Sequence, residues 1–193
     1  GHLPIDDALG EAFDKSANIL GLGYPGGPAL EKQALSGDAK AVPLPRPLLG
    51  SKEPHFSFAG LKSAVVRAKD SGNYADADIA ASFQQAAIDC LLDRLTVSLG
   101  NTAPLPALVV AGGVAANTAI RTALEGFAGA RDMRFTAPPM ALCTDNAAMI
   151  AAAGIEQMAV RGPGGMALSA RPRMPLDTER AGMLGSGKKG AKA

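Results

Sequence analysis

Two turns that each lead into a helix, at residues 108–117 and 143–150, constrain the fold of this chain most strongly. The first is an apolar, β-branched run that ends in Gly112 and Gly113 and reaches Asn117 shortly afterwards. Paired glycines let backbone approach a ligand closely, and the helix that follows presents free backbone N–H groups. In the second turn, Asp145 precedes a long apolar helix. The two turns predict a nucleotide site at one end of an α/β sheet.

Each turn also has a purely structural interpretation. A Gly-Gly pair suits a tight crossover from strand to helix, and the Gly-x-Gly-x-x-Gly fingerprint of dinucleotide-binding proteins is absent from this turn. Asp145, or Thr144 beside it, is a suitable helix N-cap. The functional interpretation depends on Asn117, placed one turn into its helix, whose amide could bond a sugar or a base edge. It also depends on Asp145 as a metal ligand at the same end of the sheet.

The beginning of the chain predicts an amphipathic helix from Asp6 or Asp7 to about Leu20, because apolar residues recur there at spacings of three and four. Glu11 and Asp14 share one face of this helix, and Lys15 is placed to pair with Glu11. The two carboxylates form either a solvated face or a set of acceptors for ribose hydroxyls.

The remaining pattern predicts an α/β chain with much helix in its first half. We expect helices from Pro28 and over 60–69, 78–99, 116–127 and 144–159, strands at 56–58, 107–111 and 134–135, and an irregular stretch over 37–54.

Charge, cysteines and hydropathy narrow the class of protein. Residues 1–160 hold 12 basic and 16 acidic side chains, whereas residues 161–193 hold 7 and 2. The basic end suits either a polyanionic partner or a solubilising tail. Cys90 and Cys143 lack metal-site spacing, which predicts reduced thiols in a cytoplasmic protein with neither a secretory signal nor a membrane span. With His2 and His55 as its histidines, the chain has no residue set for self-contained hydrolysis.

Five motifs occur in an order that resembles one family. They are Ile-Asp-Asp-Ala-Leu-Gly-Glu-Ala-Phe-Asp-Lys at 5–15, Tyr-Pro-Gly-Gly-Pro at 24–28, Phe-Ser-Phe-Ala-Gly-Leu-Lys at 56–62, Val-Ala-Gly-Gly-Val-Ala-Ala-Asn at 110–117 and Cys-Thr-Asp-Asn at 143–146. Together they resemble the C-terminal half of the TsaD family of tRNA threonylcarbamoyladenosine transferases, historically labelled O-sialoglycoprotein endopeptidase or glycoprotease. The resemblance covers about residues 4–176.

The resemblance implies an actin/Hsp70/sugar-kinase-like ATPase fold, of which this chain would be the ribonuclease H-like C-terminal lobe with a helical insertion. It implies a helical substrate-binding region at 1–100 and an α/β nucleotide-binding lobe at 101–176, followed by a basic, disordered tail at 177–193. The implied activity is transfer of threonylcarbamoyl from threonylcarbamoyl-adenylate to the adenosine beside the tRNA anticodon. The implied partners are tRNA, the adenylate or ATP/ADP, a paralogous scaffold subunit and a small ATPase subunit, without a membrane.

Carried over by motif, the substrate-binding residues are Asp14, Gly27, Asn117 and, joining them, Glu31. Asp145 would ligate one divalent metal, iron(II) or zinc(II). The family's paired metal-binding histidines and first phosphate loop belong to its N-terminal lobe. Because transition-metal sites usually need three or more protein ligands, we expect a truncated C-terminal part that is inactive alone.

Three other interpretations stay open. One is a metalloprotease, as in the historical label, although the sequence has no metalloprotease histidine motif. Another is a different ATPase or sugar kinase of the same fold superfamily. The third is a non-catalytic scaffold paralogue, which Asp145 disfavours because a scaffold needs no metal ligand.

Overall fold

The computed structural model describes residues 8–52, 55–100, 102 and 104–165. The chain divides into two compact units, residues 1–145 and 146–193. The described elements of the first unit are α1 (Leu9–Ile19), α2 (Gly26–Ala34), α3 (Ala59–Ser71), α4 (Asp76–Leu99), β1 (Ala107–Val109), α5 (Thr118–Gly129) and β2 (Arg134–Thr136), and α6 (Ala147–Arg161) belongs to the second unit.

Helices α1 to α4 build the main core of the first unit. In α1 the apolar face predicted from the sequence is buried, with Ala12 and Ala17 fully covered and Phe13 3% exposed. The Phe13 ring meets Phe83 of α4 edge-to-face, with 5.0 Å between ring centroids. Edge-to-face contact is a favourable aromatic geometry, so this pair anchors α1 on the long helix α4.

The predicted β-α-β unit is present, and its two strands form a small parallel sheet. Strand β1 pairs with β2 in a register that joins Ala107 to Arg134 and Val109 to Thr136, with α5 as the connection. The first strand is shorter than predicted, because the chain turns away at Gly112, whose φ of 92° is readily adopted only by glycine. A 3-10 turn, Gly113–Ala116, then precedes α5.

The prediction of a strand at residues 56–58 is wrong. Phe56 makes an isolated bridge, and Phe58 is already the residue that precedes α3. The alternation Phe-Ser-Phe instead brings the rings of Phe56 and Phe58 into a stacked pair with centroids 6.2 Å apart. The irregular stretch predicted over 37–54 is confirmed for residues 37–52, the part that the structure describes.

Helix α6 begins three residues later than predicted. Its N-cap is Asn146, whose side chain accepts a hydrogen bond from the Met149 backbone N–H at 3.0 Å. The structural interpretation of Asp145 or Thr144 as the cap is therefore wrong. Among the described helices, none is long and apolar enough to cross a bilayer. The basic tail predicted at 177–193 lies outside the described residues, and the boundary predicted near residue 100 stays a prediction.

Candidate functional site

A cleft of about 320 Å³ in the first unit brings together the four residues predicted to bind substrate. Its lining comes from α1, the connection to α2, α2 itself, the turn that begins α5 and the segment that follows β2. The lining residues are Gly10, Phe13, Asp14, Tyr24, Pro25, Gly27, Pro28, Glu31, Gly113, Val114, Ala116, Asn117 and Thr144. Asp145 is exposed and is not among them.

Asp14 fixes the start of α2 against α1. Its Oδ1 accepts a hydrogen bond from the Gly26 backbone N–H at 3.1 Å. The two helices are so close there that a Cβ atom on Gly26 would lie 2.6 Å from the Asp14 Cα atom. The first N–H groups of a helix have no partner within the helix, so this carboxylate supplies one. Asp14 itself is exposed, which leaves its carboxylate accessible from the cleft.

Gly27 has a different environment from its neighbour Gly26. A Cβ atom built on Gly27 would meet no atom of the described residues within 4 Å. The absent side chain therefore leaves open space in the cleft. Tyr24, which also lines the cleft, is 91% exposed, so an aromatic face is available at the same end of α2.

Glu31 connects the α1–α2 wall to the turn at the other side of the cleft. Its Oε1 accepts a hydrogen bond from the backbone N–H of Thr118, the first residue of α5, at 2.6 Å. A carboxylate at a helix N-terminus forms a charge-assisted hydrogen bond and complements the helix dipole. Glu31 thus holds α2 and α5 at a fixed separation.

Asn117 is the N-cap of α5. The sequence-based prediction that it lies one turn into the helix is therefore wrong. The Asn117 Oδ1 accepts a hydrogen bond from Ile120 N–H at 2.9 Å, and its Nδ2 donates to Gln84 Oε1 of α4 at 2.9 Å. Asn117 is only 7% exposed. Both ends of the amide are therefore engaged within the protein, and Asn117 joins the turn to α4.

Gln84 is a residue of this arrangement that sequence reasoning missed. It is half-buried and follows the fully buried Phe83 on α4, with Gln85 beside it. An amide pair inside a helix that buries many apolar residues was the available signal, because polar groups at the edge of a core are usually hydrogen-bonded. The partner of Gln84, 33 positions away, could not be identified from spacing.

The charge of the lining suits hydroxyl donors better than anions. Among the residues that the structure describes, the lining contains two carboxylates, Asp14 and Glu31, and no Lys or Arg. A carboxylate has several acceptor positions and no donor when ionised. Each carboxylate already accepts one backbone hydrogen bond and retains the capacity to accept others. Apolar contacts from Phe13 and Val114 complete a surface that fits a flat, neutral ring system with attached hydroxyl groups.

The residues that the structure describes do not provide a metal site. Among them, no three His, Cys, Asp or Glu side chains come together with the geometry to hold an ion. Asp145 alone does not fit iron or zinc, each of which needs more protein ligands. Its role as a metal ligand stays a prediction.

Both cysteines are free thiols and lie outside the cleft lining. Burial raises the pKa of the Cys90 thiol to about 11, and the charge of Asp89 acts in the same direction. Cys143 is 4% exposed and lies next to Thr144 in the chain.

Comparison with known proteins agrees with the order of the motifs. The profile of the family described as TsaD, tRNA N6-adenosine threonylcarbamoyltransferase, matches residues 3–152. A protein of that name from Erythrobacter litoralis is 70% identical over 185 residues, which cover 96% of this chain and 54% of the relative. Another from Novosphingobium aromaticivorans is 64% identical over 186 residues, which cover 96% of this chain and 53% of the relative.

The chain spans about half the length of the curated relatives that it matches. These relatives are named as transferases, not as metalloproteases or sugar kinases. The matched range contains all the residues that line the cleft. Because the family profile matches most of the chain, the chain belongs to the TsaD family of tRNA N6-adenosine threonylcarbamoyltransferases.

Proposed function

We propose that this chain supplies a nucleoside-binding wall of a tRNA N6-adenosine threonylcarbamoyltransferase. The observation that supports this most strongly is the convergence of Asp14, Gly27, Glu31 and Asn117 on one cleft. Asp14, Gly27 and Asn117 come from three separate motifs spread over about a hundred positions of the chain, and Glu31 follows the second of these motifs. Their convergence is expected if the motifs serve one ligand.

In this proposal the carboxylates of Asp14 and Glu31 accept hydrogen bonds from the ribose hydroxyls of an adenylate. Gly27 leaves room for the sugar, and the exposed face of Tyr24 stacks on the base, since aromatic side chains bind bases in this way. Asn117 keeps the turn at its place through Gln84.

The reaction of the complete protein would be an acyl transfer to tRNA. The exocyclic amine of the adenosine beside the anticodon attacks the carbonyl carbon of the threonylcarbamoyl group. The bond from that carbon to the phosphate oxygen breaks, AMP leaves with the electron pair, and the amine loses a proton. Because the described residues do not fit a metal ion, we assign no step of this reaction to one.

We further propose that the chain is the ribonuclease H-like C-terminal lobe of an actin/Hsp70/sugar-kinase-like ATPase fold. Residues 1–100 would form the helical insertion and residues 101–176 the α/β lobe. The parallel β-α-β unit supports this placement, since Asn117 follows the carboxyl end of β1, where such folds bind ligands. The tRNA substrate and the two free thiols favour a cytoplasmic location. The scaffold and small ATPase partners rest on the resemblance alone.

Tyrosine fluorescence tests the proposed cleft directly. The chain has no tryptophan and two tyrosines, Tyr24 and Tyr74, so Tyr74→Phe leaves Tyr24 as the sole fluorophore. We expect adenosine to quench this emission saturably. The matched variant Tyr24→Phe, which retains Tyr74, should show no saturable quenching.

The ribose assignment has its own comparison. We expect 2′,3′-dideoxyadenosine to bind about a hundredfold more weakly than adenosine, because it lacks both hydroxyls and so loses two charge-assisted hydrogen bonds, each of which contributes about tenfold. In Asp14→Asn this preference should shrink. Absence of saturable quenching, or equal affinity for both nucleosides in the unsubstituted cleft, would contradict the proposal.

A further inference from the structure

Arg121 joins the two turns that flank the cleft without lining the cleft itself. It lies in the first part of α5, and its Nε and Nη2 atoms donate to the Ala115 carbonyl at 3.0 and 2.8 Å. Nη2 also lies 2.8 Å from the Pro138 carbonyl and 3.3 Å from the Cys143 sulfur. One guanidinium therefore contacts two separate segments of the chain.

Both segments continue directly into the cleft. Ala115 belongs to the 3-10 turn Gly113–Ala116, and its neighbours Val114 and Ala116 line the cleft. Pro138 and Cys143 enclose a second 3-10 turn, Met140–Leu142, after which Thr144 lines the cleft. Arg121 thus lies behind the place where these two segments meet.

The contact uses both the length and the fork of an arginine. A guanidinium is a planar fork of five donors, whereas a lysine ammonium is a single point with three donors at the end of a flexible stem. Nε and Nη2 both donate to the Ala115 carbonyl, which fixes the plane of the fork, and from that position Nη2 also contacts the Pro138 carbonyl and the Cys143 sulfur. A lysine has no Nε donor to fix its ammonium at that position, so it holds the two segments less firmly.

The second segment contains one buried thiol between exposed neighbours. Met140 and Leu142 are exposed large apolar residues, whereas Cys143 is buried. The Cys143 sulfur also lies 3.7 and 3.6 Å from the carbonyls of Pro138 and Pro139. The buried Cys143 sulfur thus lies in the same cluster of contacts as the Arg121 guanidinium.

We infer that Arg121 is a positioning residue, which fixes residues 138–144 against the turn of residues 113–116 and so sets the side of the cleft opposite α1 and α2 before ligand binds. A preorganised site spends less binding free energy on ordering itself. The inference deepens the proposed function and rests on it for the identity of the ligand, a nucleoside.

Alkylation of the two cysteines measures this positioning. The 193-residue chain and its Arg121→Lys variant are treated with N-ethylmaleimide, and modification of Cys143 and Cys90 is followed separately by mass spectrometry. We expect Arg121→Lys to accelerate modification of Cys143 about tenfold and to leave Cys90 at its original rate. Cys90, buried in α4, reports on general unfolding within the same molecule.

Arg131→Lys is the matched control, because Arg131 also donates to a carbonyl and a side-chain oxygen, those of Phe127 and Thr96. It lies outside the cleft lining, and its variant should leave both cysteines unchanged. An unchanged Cys143 rate in Arg121→Lys, or equal acceleration of Cys143 and Cys90 with a lower Tm, would overturn the inference.

Adenosine affinity, measured through Tyr24 in the Tyr74→Phe background, supplies the functional readout. We expect Arg121→Lys to weaken adenosine binding about tenfold at an unchanged Tm. Faster Cys143 modification with unchanged affinity would refute a positioning role for this site. If the parent chain binds no adenosine, the proposed function of the cleft fails, and the Cys143 rate alone decides whether Arg121 holds the two segments together.

Discussion

The same substitution at two adjacent glycines at the start of α2 (Gly26–Ala34) should change the free energy of unfolding by very different amounts. A Cβ atom on Gly26 would lie 2.6 Å from Asp14 Cα, 2.8 Å from Asp14 Oδ1 and 3.0 Å from Ala17 Cβ. On Gly27 the same atom would meet nothing within 4 Å among the described residues. Gly26→Ala therefore collides with the backbone of α1, whereas Gly27→Ala projects into the open cleft.

The expected cost of Gly26→Ala follows from these distances. Carbon atoms pack best at about 3.5–4.0 Å, so α2 must move away from α1 by roughly 1 Å. Overpacking of a well-packed region costs about 1–3 kcal/mol. The shift also lengthens the hydrogen bond from Gly26 to Asp14, whose loss costs about 1 kcal/mol. The free energy of unfolding should fall by about 2–4 kcal/mol in total.

Gly27→Ala should leave the free energy of unfolding within about 1 kcal/mol of the parent, because alanine is the better helix former. Urea denaturation followed by circular dichroism measures both variants, and adenosine titration of Tyr24 fluorescence measures the cleft. We expect both variants to lose adenosine affinity, Gly26→Ala through displacement of α2 and Gly27→Ala through occupation of the cleft. Equal stability of the two variants would refute the close approach of α1 and α2.

Three further results are expected. In urea denaturation, Asn117→Ala and Gln84→Ala should each lower the free energy of unfolding by about 1–2 kcal/mol. The double variant should lower it by less than the sum of the two single effects, because both single variants remove the same hydrogen bond. Strict additivity would contradict that hydrogen bond. Glu31→Gln should destabilise the chain by about 1 kcal/mol, since a neutral amide replaces the carboxylate at the start of α5, and an unchanged urea midpoint would contradict this role. The third result concerns pH. Because the pKa of Cys90 is about 11 in the folded chain and 9.0 ordinarily, its contribution to stability is full below pH 9 and is lost as pH rises towards 11. The total loss is about 3 kcal/mol, and urea midpoints measured across this range should fall less in Cys90→Ala.

Local pattern predicted much of the fold but not the contacts across it. Spacing of apolar residues identified α1 and α4, and the Gly-Gly turn identified the crossover after β1. Sequence could not distinguish Gly26 from Gly27, because one faces a neighbouring backbone and the other faces open space. It also could not choose the N-cap of α6 among three consecutive capping residues, since Thr144, Asp145 and Asn146 have similar cap preferences.

The predicted binding residues are also the residues that connect the walls of the cleft. Asp14 joins α1 to α2, Glu31 joins α2 to α5, and Asn117 joins α5 to α4. A substitution that abolishes binding at these positions therefore does not by itself identify a ligand contact. Conservative variants separate the two effects only where stability is measured alongside affinity.

Ligand binding does not require these connections to break. Asp14 and Glu31 each use one oxygen toward a backbone N–H, and an ionised carboxylate offers about four acceptor positions. The remaining positions can take ribose hydroxyls while the first hydrogen bond persists. Asn117 differs, because its oxygen and its nitrogen are both engaged and the residue is buried. The carboxylates are thus suited to bind and to connect at once, whereas Asn117 acts on a ligand mainly by holding the turn in place.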